Sequence, residues 1–257
     1  MKIATWNVNS LKVRLPQVLD WLTTARPDVL CLQETKTTDE NFPADAIEAA
    51  GYHSVYSGQN TYNGVAILSR KPAEDILTDI PGLDDPQRRI LGASFGGVRV
   101  LNLYVVNGQE VGSEKYAHKL HWLEMVAEHV REQLLKHEHF VTLGDFNIAP
   151  EDRDVHDPEA WRERILCSTP ERDALQKLLA LGLVDTFRLF DQEAGSFSWW
   201  DYRAAAFRRN MGLRIDLILA SRSLAESCIS CSIDKEPRRL ERPSDHAPVV
   251  AEFSIQG

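Results

Sequence analysis

Apolar and polar positions change period repeatedly along this chain, and the changes divide it into short strands and helices. Alternating or continuous apolar runs bounded by turn residues predict strands over residues 2–8, 28–33, 53–57, 64–69, 89–95, 98–105, 140–144, 215–220, 227–233 and 249–255. Helical spacing predicts helices over residues 14–25, 44–50, 113–137, 158–165 and 170–181. The clearest is 113–137, where Tyr116, Leu120, Leu123, Ala127, Val130 and Leu134 recur every three or four residues and charge fills the other faces. Ser113 stands where it can cap that helix. Adjacent strand pairs mixed with strand–helix units imply an α/β protein of packed sheets flanked by helices. No low-complexity segment, charge block or long Pro/Gly/Ser linker divides it, so residues 1–257 are expected to form one domain.

Composition narrows the classes. The 257 residues are 43% hydrophobic and 26% charged, ordinary for a soluble enzyme and long enough to bury a core without disulfides or structural metal. Lys plus Arg is 29 against 38 for Asp plus Glu, a formal charge of −9. That balance argues against a general electrostatic binder of nucleic acid or anionic membrane. It leaves open a phosphate substrate handled at one local site through bound cations. No apolar run approaches the ~20 residues that span a bilayer, and the N-terminus lacks a signal-peptide shape, so a cytoplasmic protein is expected. Cys31 and Cys167 are isolated, and Cys228-Ile-Ser-Cys231 is a single C-x-x-C inside a predicted strand. Zinc would need a second ligand pair, and a redox dithiol would want a helix N-terminus after a strand, so these cysteines read as small apolar fillers.

Several strand ends carry acids and amides. Asn7 and Asn9 follow the first strand, Gln33-Glu34-Thr35-Lys36 the second, and Gly144-Asp145-Phe146-Asn147 the strand over 140–144; Ser244-Asp245-His246 precedes the last. One such residue is ordinary turn chemistry, but four clusters on loops anchored by sheets point to a site. Glu34, Asp145 and Asp245 are hard oxygen donors, and Asn7 and Asn147 add neutral ones, a set suited to Mg²⁺ or Mn²⁺ rather than zinc or copper. His246 is the one histidine in a promising context; His137-Glu-His139 is not a zinc motif, and His118, His121 and His129 lie on the long helix without a carboxylate motif. A carboxylate-held divalent metal with a His–Asp pair suits phosphodiester hydrolysis. There is no G-x-S-x-G, P-loop or G-x-G-x-x-G to support a serine triad or nucleotide fold.

The ordered set Trp6-Asn7-Val8-Asn9, Leu32-Gln33-Glu34-Thr35-Lys36, Asn63-Gly64-Val65-Ala66-Ile67, Asn102-Leu103-Tyr104, Gly144-Asp145-Phe146-Asn147, Trp199-Trp200-Asp201-Tyr202-Arg203, Leu213-Arg214-Ile215-Asp216 and Ser244-Asp245-His246-Ala247-Pro248 resembles the exodeoxyribonuclease III group, with its abasic-site endonucleases, of the endonuclease/exonuclease/phosphatase superfamily. The resemblance runs from Lys2 to Phe253 and implies a four-layer α/β sandwich, two packed sheets with helices outside. It implies that Glu34 holds Mg²⁺, or Mn²⁺ as a substitute, with Asp245 close by and Asn7 supporting. Asp145 would act as general acid or base, Asn147 would hold phosphate or water, and both stand among the metal-site candidates. His246, paired with Asp216, would contact the scissile phosphate, and Tyr104 would position it. Trp199, Leu213 and Ile215 match a narrow apolar pocket for a flipped, base-less sugar. Asn107 and Arg203 match DNA-contacting positions, and Asn9 and Lys36 are carried as substrate-side residues.

The implied activity is a metal-dependent DNA-repair phosphodiesterase that cuts 5′ to abasic sites and removes 3′ nucleotides or 3′ blocking groups from duplex DNA. The expected partner is abasic or 3′-damaged duplex DNA, met by a monomer with no obligate protein partner and no membrane. One departure is Tyr104-Val105-Val106-Asn107-Gly108, where valine stands for a proline the group often has. Two competing readings are the same fold acting on RNA or a lipid or inositol phosphate, and a non-catalytic DNA-binding module. The net charge and the lack of an amphipathic segment disfavour the lipid branch of the first, and the intact acidic set disfavours the second. At −9, DNA contact needs a restricted basic strip, for which Lys36, Arg88, Arg89, Arg203, Arg208, Arg209 and Arg214 are the candidates.

Overall fold

The computed structural model describes residues 1–83 and 85–255. In chain order its strands are β1 (Lys2–Asn7), β2 (Val29–Gln33), β3 (His53–Ser57), β4 (Val65–Ser69), β5 (Glu74–Leu77), β6 (Ile90–Phe95), β7 (Val98–Tyr104), β8 (His139–Asp145), β9 (Leu183–Asp185), β10 (Trp199–Trp200), β11 (Gly212–Leu213), β12 (Asp216–Ser221), β13 (Cys228–Ile233) and β14 (Val249–Phe253). The helices are α1 (Leu11–Ala25), α2 (Ala44–Ala49), α3 (Glu114–Lys136), α4 (Pro158–Trp161), α5 (Thr169–Ala180) and α6 (Arg222–Glu226). Two six-stranded mixed sheets form, ordered β13-β14-β1-β2-β4-β3 and β5-β6-β7-β8-β12-β9, with β10–β11 as a separate ribbon.

Period-two alternation sorts each central strand between two cores. Ile3, Val29, Cys31 and Ile67 of the first sheet meet Val100, Val141, Leu143 and Ile218 of the second. The alternate residues Ala4, Trp6, Leu30 and Leu32 face Val18, Trp21 and Leu22 of α1 and Ile47 of α2. On the far side, Leu101, Leu103, Phe140 and Leu217 face Trp122, Leu123 and Val126 of α3 and Leu175 and Leu178 of α5. These three apolar interfaces make the four-layer sandwich. Near the site a polar clip joins the sheets: Gln33 Nε2 donates to Thr5 Oγ1 and to Asn102 Oδ1, each at 2.8 Å, and Asn102 Nδ2 donates to the carbonyls of Leu32 and Ala66, each at 3.0 Å.

Some boundaries move. The helix expected from residue 14 begins at Leu11 and runs through Pro16. The helix expected over 158–165 stops at Trp161, because Glu163 turns left-handed (φ 53) and its carboxylate takes the backbone and hydroxyl of Thr169. On α3 the buried face is rotated from the expected stripe: Lys119, Trp122, Val126, His129 and Gln133 are buried, while Leu120, Ala127 and Leu134 are only half-buried. The strand expected over 215–220 starts one residue later, at Asp216, and ends at Ser221. All four cysteines are free, and among the described residues no helix is long and apolar enough to cross a membrane.

Candidate active site

Strand register gathers the acids. In the second sheet Tyr104 of β7 pairs with Asp145 of β8, which pairs with Asp216 of β12. In the first sheet Asn7 pairs with Gln33, and the chain continues into Glu34. The loops turn sharply there. Asn9, Glu34, Lys36 and Asn147 all have left-handed backbones (φ 43, 51, 51 and 49), a conformation that costs roughly 1–3 kcal/mol for a side-chain-bearing residue and persists only when neighbours hold it. They are held: Ser10 N donates to Glu34 O at 2.8 Å, Thr35 N to Gly64 O at 3.1 Å and Lys36 N to Asn63 O at 2.9 Å. Gly64 is required, because it is left-handed (φ +89) and a Cβ would lie 2.2 Å from Thr35 Oγ1.

Asn7 is the hub. Its Nδ2 donates to Glu34 Oε1 at 2.8 Å and to Asp145 Oδ2 at 2.9 Å, bridging two carboxylates with one amide. His246 Nδ1 lies 2.8 Å from Asp216 Oδ2, and its Nε2 lies 3.7 Å from Asp145 Oδ2. Asp145 Oδ1 accepts the Asn147 N–H at 2.9 Å, and Asn107 Nδ2 donates to Asn147 Oδ1 at 3.1 Å. Asp245 sits to one side, held by Asn9 Nδ2 and Trp199 Nε1, each at 3.0 Å. Lys36 Nζ joins Asn9 Oδ1 at 2.6 Å to Glu34 Oε2 at 3.0 Å.

Charge is unbalanced here. Four carboxylates gather, and the cations that touch them are Lys36, on Glu34, and His246, on Asp145 and Asp216, while Asp245 is held by neutral donors. Burial pushes the Asp145 carboxyl up to about 7, although the His246 imidazolium pulls it back. Burial pulls His246 down, but Asp216 and Asp145 outweigh it and push the imidazole up to about 10. Enclosure, with Glu34 and Asp145 nearby, pushes the Tyr104 phenol well above its ordinary value, and the Arg89 guanidinium over its ring at 4.7 Å opposes this. Ligand atoms of Glu34, Asp145 and His246 lie within 4.8 Å of one another, and Asp216 Oδ1 is buried without a hydrogen-bond partner. Such an excess of oxygen donors fits a hard divalent cation.

The remaining expected residues divide. Trp199 is half-buried and packs edge-on against Trp161, with centroids 6.5 Å apart. Leu213 and Ile215 are 0% and 1% exposed and pack with Ala149, Val155, Leu166 and Cys167, so Trp199 is the surface of this cluster and they are its floor. Asn107 is exposed, and Arg203, with 88% of its side chain exposed, is fastened to Asp201. The basic strip needs correction. Arg214 is 1% exposed and bound to Asp154 and Asp185, and Arg89 lies buried over Tyr104. Arg88, Arg208 and Arg209 are exposed, and Lys36 is half-buried.

Sequence reasoning missed the residues that fix the site from beneath. Arg14 ties Asn9 O at 2.7 Å to the Tyr202 hydroxyl at 3.0 Å and Pro243 O at 2.9 Å. Ser198 Oγ receives the N–H groups of Ile215 and Asp216, each at 3.0 Å. Arg14 carried one legible signal, a charge in the first turns of a helix that follows an Asn-rich loop. Ser198 carried none.

The profile of the Endonuclease/Exonuclease/phosphatase family matches residues 4–246. The chain belongs to this family. Within it, the chain is 37% identical to exodeoxyribonuclease III of Haemophilus influenzae, covering 98% of this chain and 100% of the relative. A 3′ phosphatase from Neisseria solved with a product DNA hairpin superposes with a TM-score of 0.97 at 51% identity, covering 99% of this chain and 100% of that one. An AP endonuclease from Archaeoglobus fulgidus superposes with a TM-score of 0.95 at 40% identity, over 99% of this chain and 100% of that one.

Proposed function

We propose that this protein is a Mg²⁺-dependent DNA-repair phosphodiesterase that hydrolyses the bond 5′ to abasic sites and clears 3′ ends of duplex DNA. The observation that carries the reading is Asp145: one enclosed carboxylate, poised near neutral pH, between the Asn7–Glu34 pair and the Asp216–His246 pair. The family and the DNA-directed activities of its relatives support the substrate.

Glu34 would hold the metal, with Asn7, Asp145 and Asn147 at its edge and Asp245 close by. Mg²⁺, or Mn²⁺ in its place, would neutralise phosphate charge as it grows in the transition state. This chain's own residues do the rest. His246, kept cationic by Asp216, presents Nε2–H toward a phosphate oxygen. Tyr104, kept protonated, donates to the same group. Asn147 and Asn107 hold phosphate or water from the second sheet's loops. Asp145, with its acidity shifted toward neutrality, moves a proton as the water–phosphorus bond forms and the phosphorus–O3′ bond breaks. Trp199, over Leu213 and Ile215, would face the base-less sugar. Asn9, Lys36 and Arg203, with Arg88, Arg208 and Arg209, would meet the backbone. We read the chain as one catalytic domain, acting as a cytoplasmic monomer.

The test is a time course on end-labelled duplexes, one with an internal abasic analogue and one with only a recessed 3′ end, with Mg²⁺ and with chelator. Metal-dependent cleavage of either supports the reading, and their relative rates rank the endonuclease and exonuclease activities. Hydrolysis of a lipid or inositol phosphate with both duplexes left intact overturns it. Affinity for DNA should also fall with salt, because phosphate contacts release counterions.

A further inference from the structure

Helix α3 turns one lysine inward. Lys119 is 0% exposed and shares a face with Trp122, Leu123 and Val126. Its ammonium donates to Asn107 O at 3.1 Å, to Asn147 O at 2.7 Å and to the Glu171 carboxylate. An ammonium has three N–H bonds, so none is left for substrate. Glu171 is equally enclosed and equally occupied. Its Oε1 also accepts Leu166 N at 3.1 Å, and its Oε2 accepts the Ser168 N–H at 3.1 Å and hydroxyl at 2.6 Å. Tyr116 extends this chain through a 2.7 Å contact with the Ser168 hydroxyl.

The two carbonyls belong to different loops, one after β7 and one after β8, and the side chains of the same residues meet at the site. Asn147 is further constrained by its left-handed backbone and by Nδ2 donating to Val105 O at 3.0 Å. The β7 loop is shaped around the lysine: Gly108 is left-handed (φ +88), and a Cβ there would lie 3.1 Å from Lys119 Cδ and 3.1 Å from Ile165 Cδ1. An enclosed ion pair is a poor source of stability, because desolvation offsets its attraction and an apolar pair of like volume does as well. An apolar pair cannot, however, donate along fixed directions to two carbonyls.

We propose that Lys119, anchored by Glu171, is a positioning residue that sets the spacing of the Asn107 and Asn147 loops and so places Asn147 and Asp145 against the phosphate. This rests on the phosphodiesterase reading above, and the test separates the two. The variant Lys119→Met/Glu171→Met removes both charges at similar volume. On a duplex with one abasic analogue and saturating Mg²⁺, kcat should fall about 10- to 100-fold, the range expected of small misplacement. KM should stay within about threefold, since the other substrate-side residues, Asn9, Lys36, Trp199 and Arg203, are untouched. The melting midpoint should fall, because the Leu166 and Ser168 N–H groups and the two loop carbonyls lose their partners even though the two charges leave together. In metal-free protein, amide exchange over residues 105–108 and 145–149 should speed up roughly tenfold while β1 and β2 are unchanged.

Wild-type kcat in the folded paired variant overturns the proposal whatever the exchange shows. If the wild-type protein cuts no DNA, the phosphodiesterase reading fails, and loop exchange alone then decides: faster exchange supports the positioning role, and unchanged exchange overturns it. If the paired variant has no cooperative melt, Glu171→Gln carries the test, with a roughly three- to tenfold loss in kcat at unchanged KM supporting the role and wild-type kcat overturning it.

Discussion

Two buried charge clusters lie within a few residues of each other and are built on opposite terms. Around Arg214, two arginines meet two aspartates. Arg214 Nε donates to Asp154 Oδ1 at 2.7 Å, Arg214 Nη2 donates to Asp185 Oδ2 at 2.7 Å, and Arg188 also binds Asp154. Both guanidinium groups lie over the Phe187 ring, at 4.9 and 5.4 Å. That cluster sets two positive charges against two negative ones, and the Arg214 guanidinium in it is enclosed, with its Nε, Nη1 and Nη2 all bound to Asp154 and Asp185. Beside it, among the described residues, the ion pairs made by Glu34, Asp145 and Asp216 are with Lys36 and His246, Asp245 is held by Asn9 and Trp199, and an amide, Asn7, stands where a cation would balance the charge. Burial does not mark a working site, since each cluster mixes buried and half-buried groups. The imbalance marks it, because uncompensated buried charge is tolerated only where something else completes it.

The sharpest way to break this contrast is to remove one charged group on each side. Asp145→Asn should lower kcat about a thousandfold, within the ~10²–10⁴ of proton transfer catalysis, while the protein melts no lower than wild type. Near-normal nicking would sink the role of Asp145. Arg214→Met should do the reverse. It leaves Asp154 and Asp185 short of a partner and should cost about 3–5 kcal/mol in urea unfolding, with kcat per folded molecule within about twofold of wild type. A large kcat loss without that destabilisation would place Arg214 in the catalytic machinery.

Cation addition comes next in size. At a free Mg²⁺ concentration about 100-fold above its Kd, the wild type should gain about 2.7 kcal/mol, read as a higher melting temperature than in chelator. Glu34→Gln should gain far less, and an equal gain would move the metal elsewhere. The smallest effect is on pH. His246 is raised to about 10, so its stabilisation is whole below its ordinary value and fades as pH climbs toward 10. Asp145 is raised to about 7, so the native state favours its protonated form, and that contribution fades between the ordinary carboxylate range and 7. Both slopes have one sign. Metal-free protein should therefore melt lower at pH 9 than at pH 6, by ~3 °C for each kcal/mol lost. A melting temperature that rises over this interval contradicts both assignments.

Much of the fold was legible because its strands are short and strongly apolar, and each sequence-predicted strand forms. The strands that escaped were those with little periodicity to read. Glu74–Leu77 is an exposed edge, Leu183–Asp185 spans three residues, and Trp199–Trp200 and Gly212–Leu213 span two each. Lys119 escaped for a different reason. A lysine on a helix is normally solvated, and only the loop carbonyls and Glu171 around it turn it inward. Arg214 was misread for the same reason, since its partners Asp154 and Asp185 are distant in sequence.

By itself, the sequence determined the α/β alternation, the residue types of the acidic set and their order along the chain, because local periodicity and donor chemistry are properties of neighbouring residues. Tertiary structure decided which charges balance. Asn7 reaching both Glu34 and Asp145, His246 lying between Asp216 and Asp145, and Arg214 closed off by two aspartates are long-range pairings fixed by sheet register and loop geometry. The net charge of −9 could not show where its excess lay. The packed sheets place part of it around one end of the sandwich, where strand ends and turned loops gather four carboxylates, Glu34, Asp145, Asp216 and Asp245, that Lys36 and His246 balance only in part.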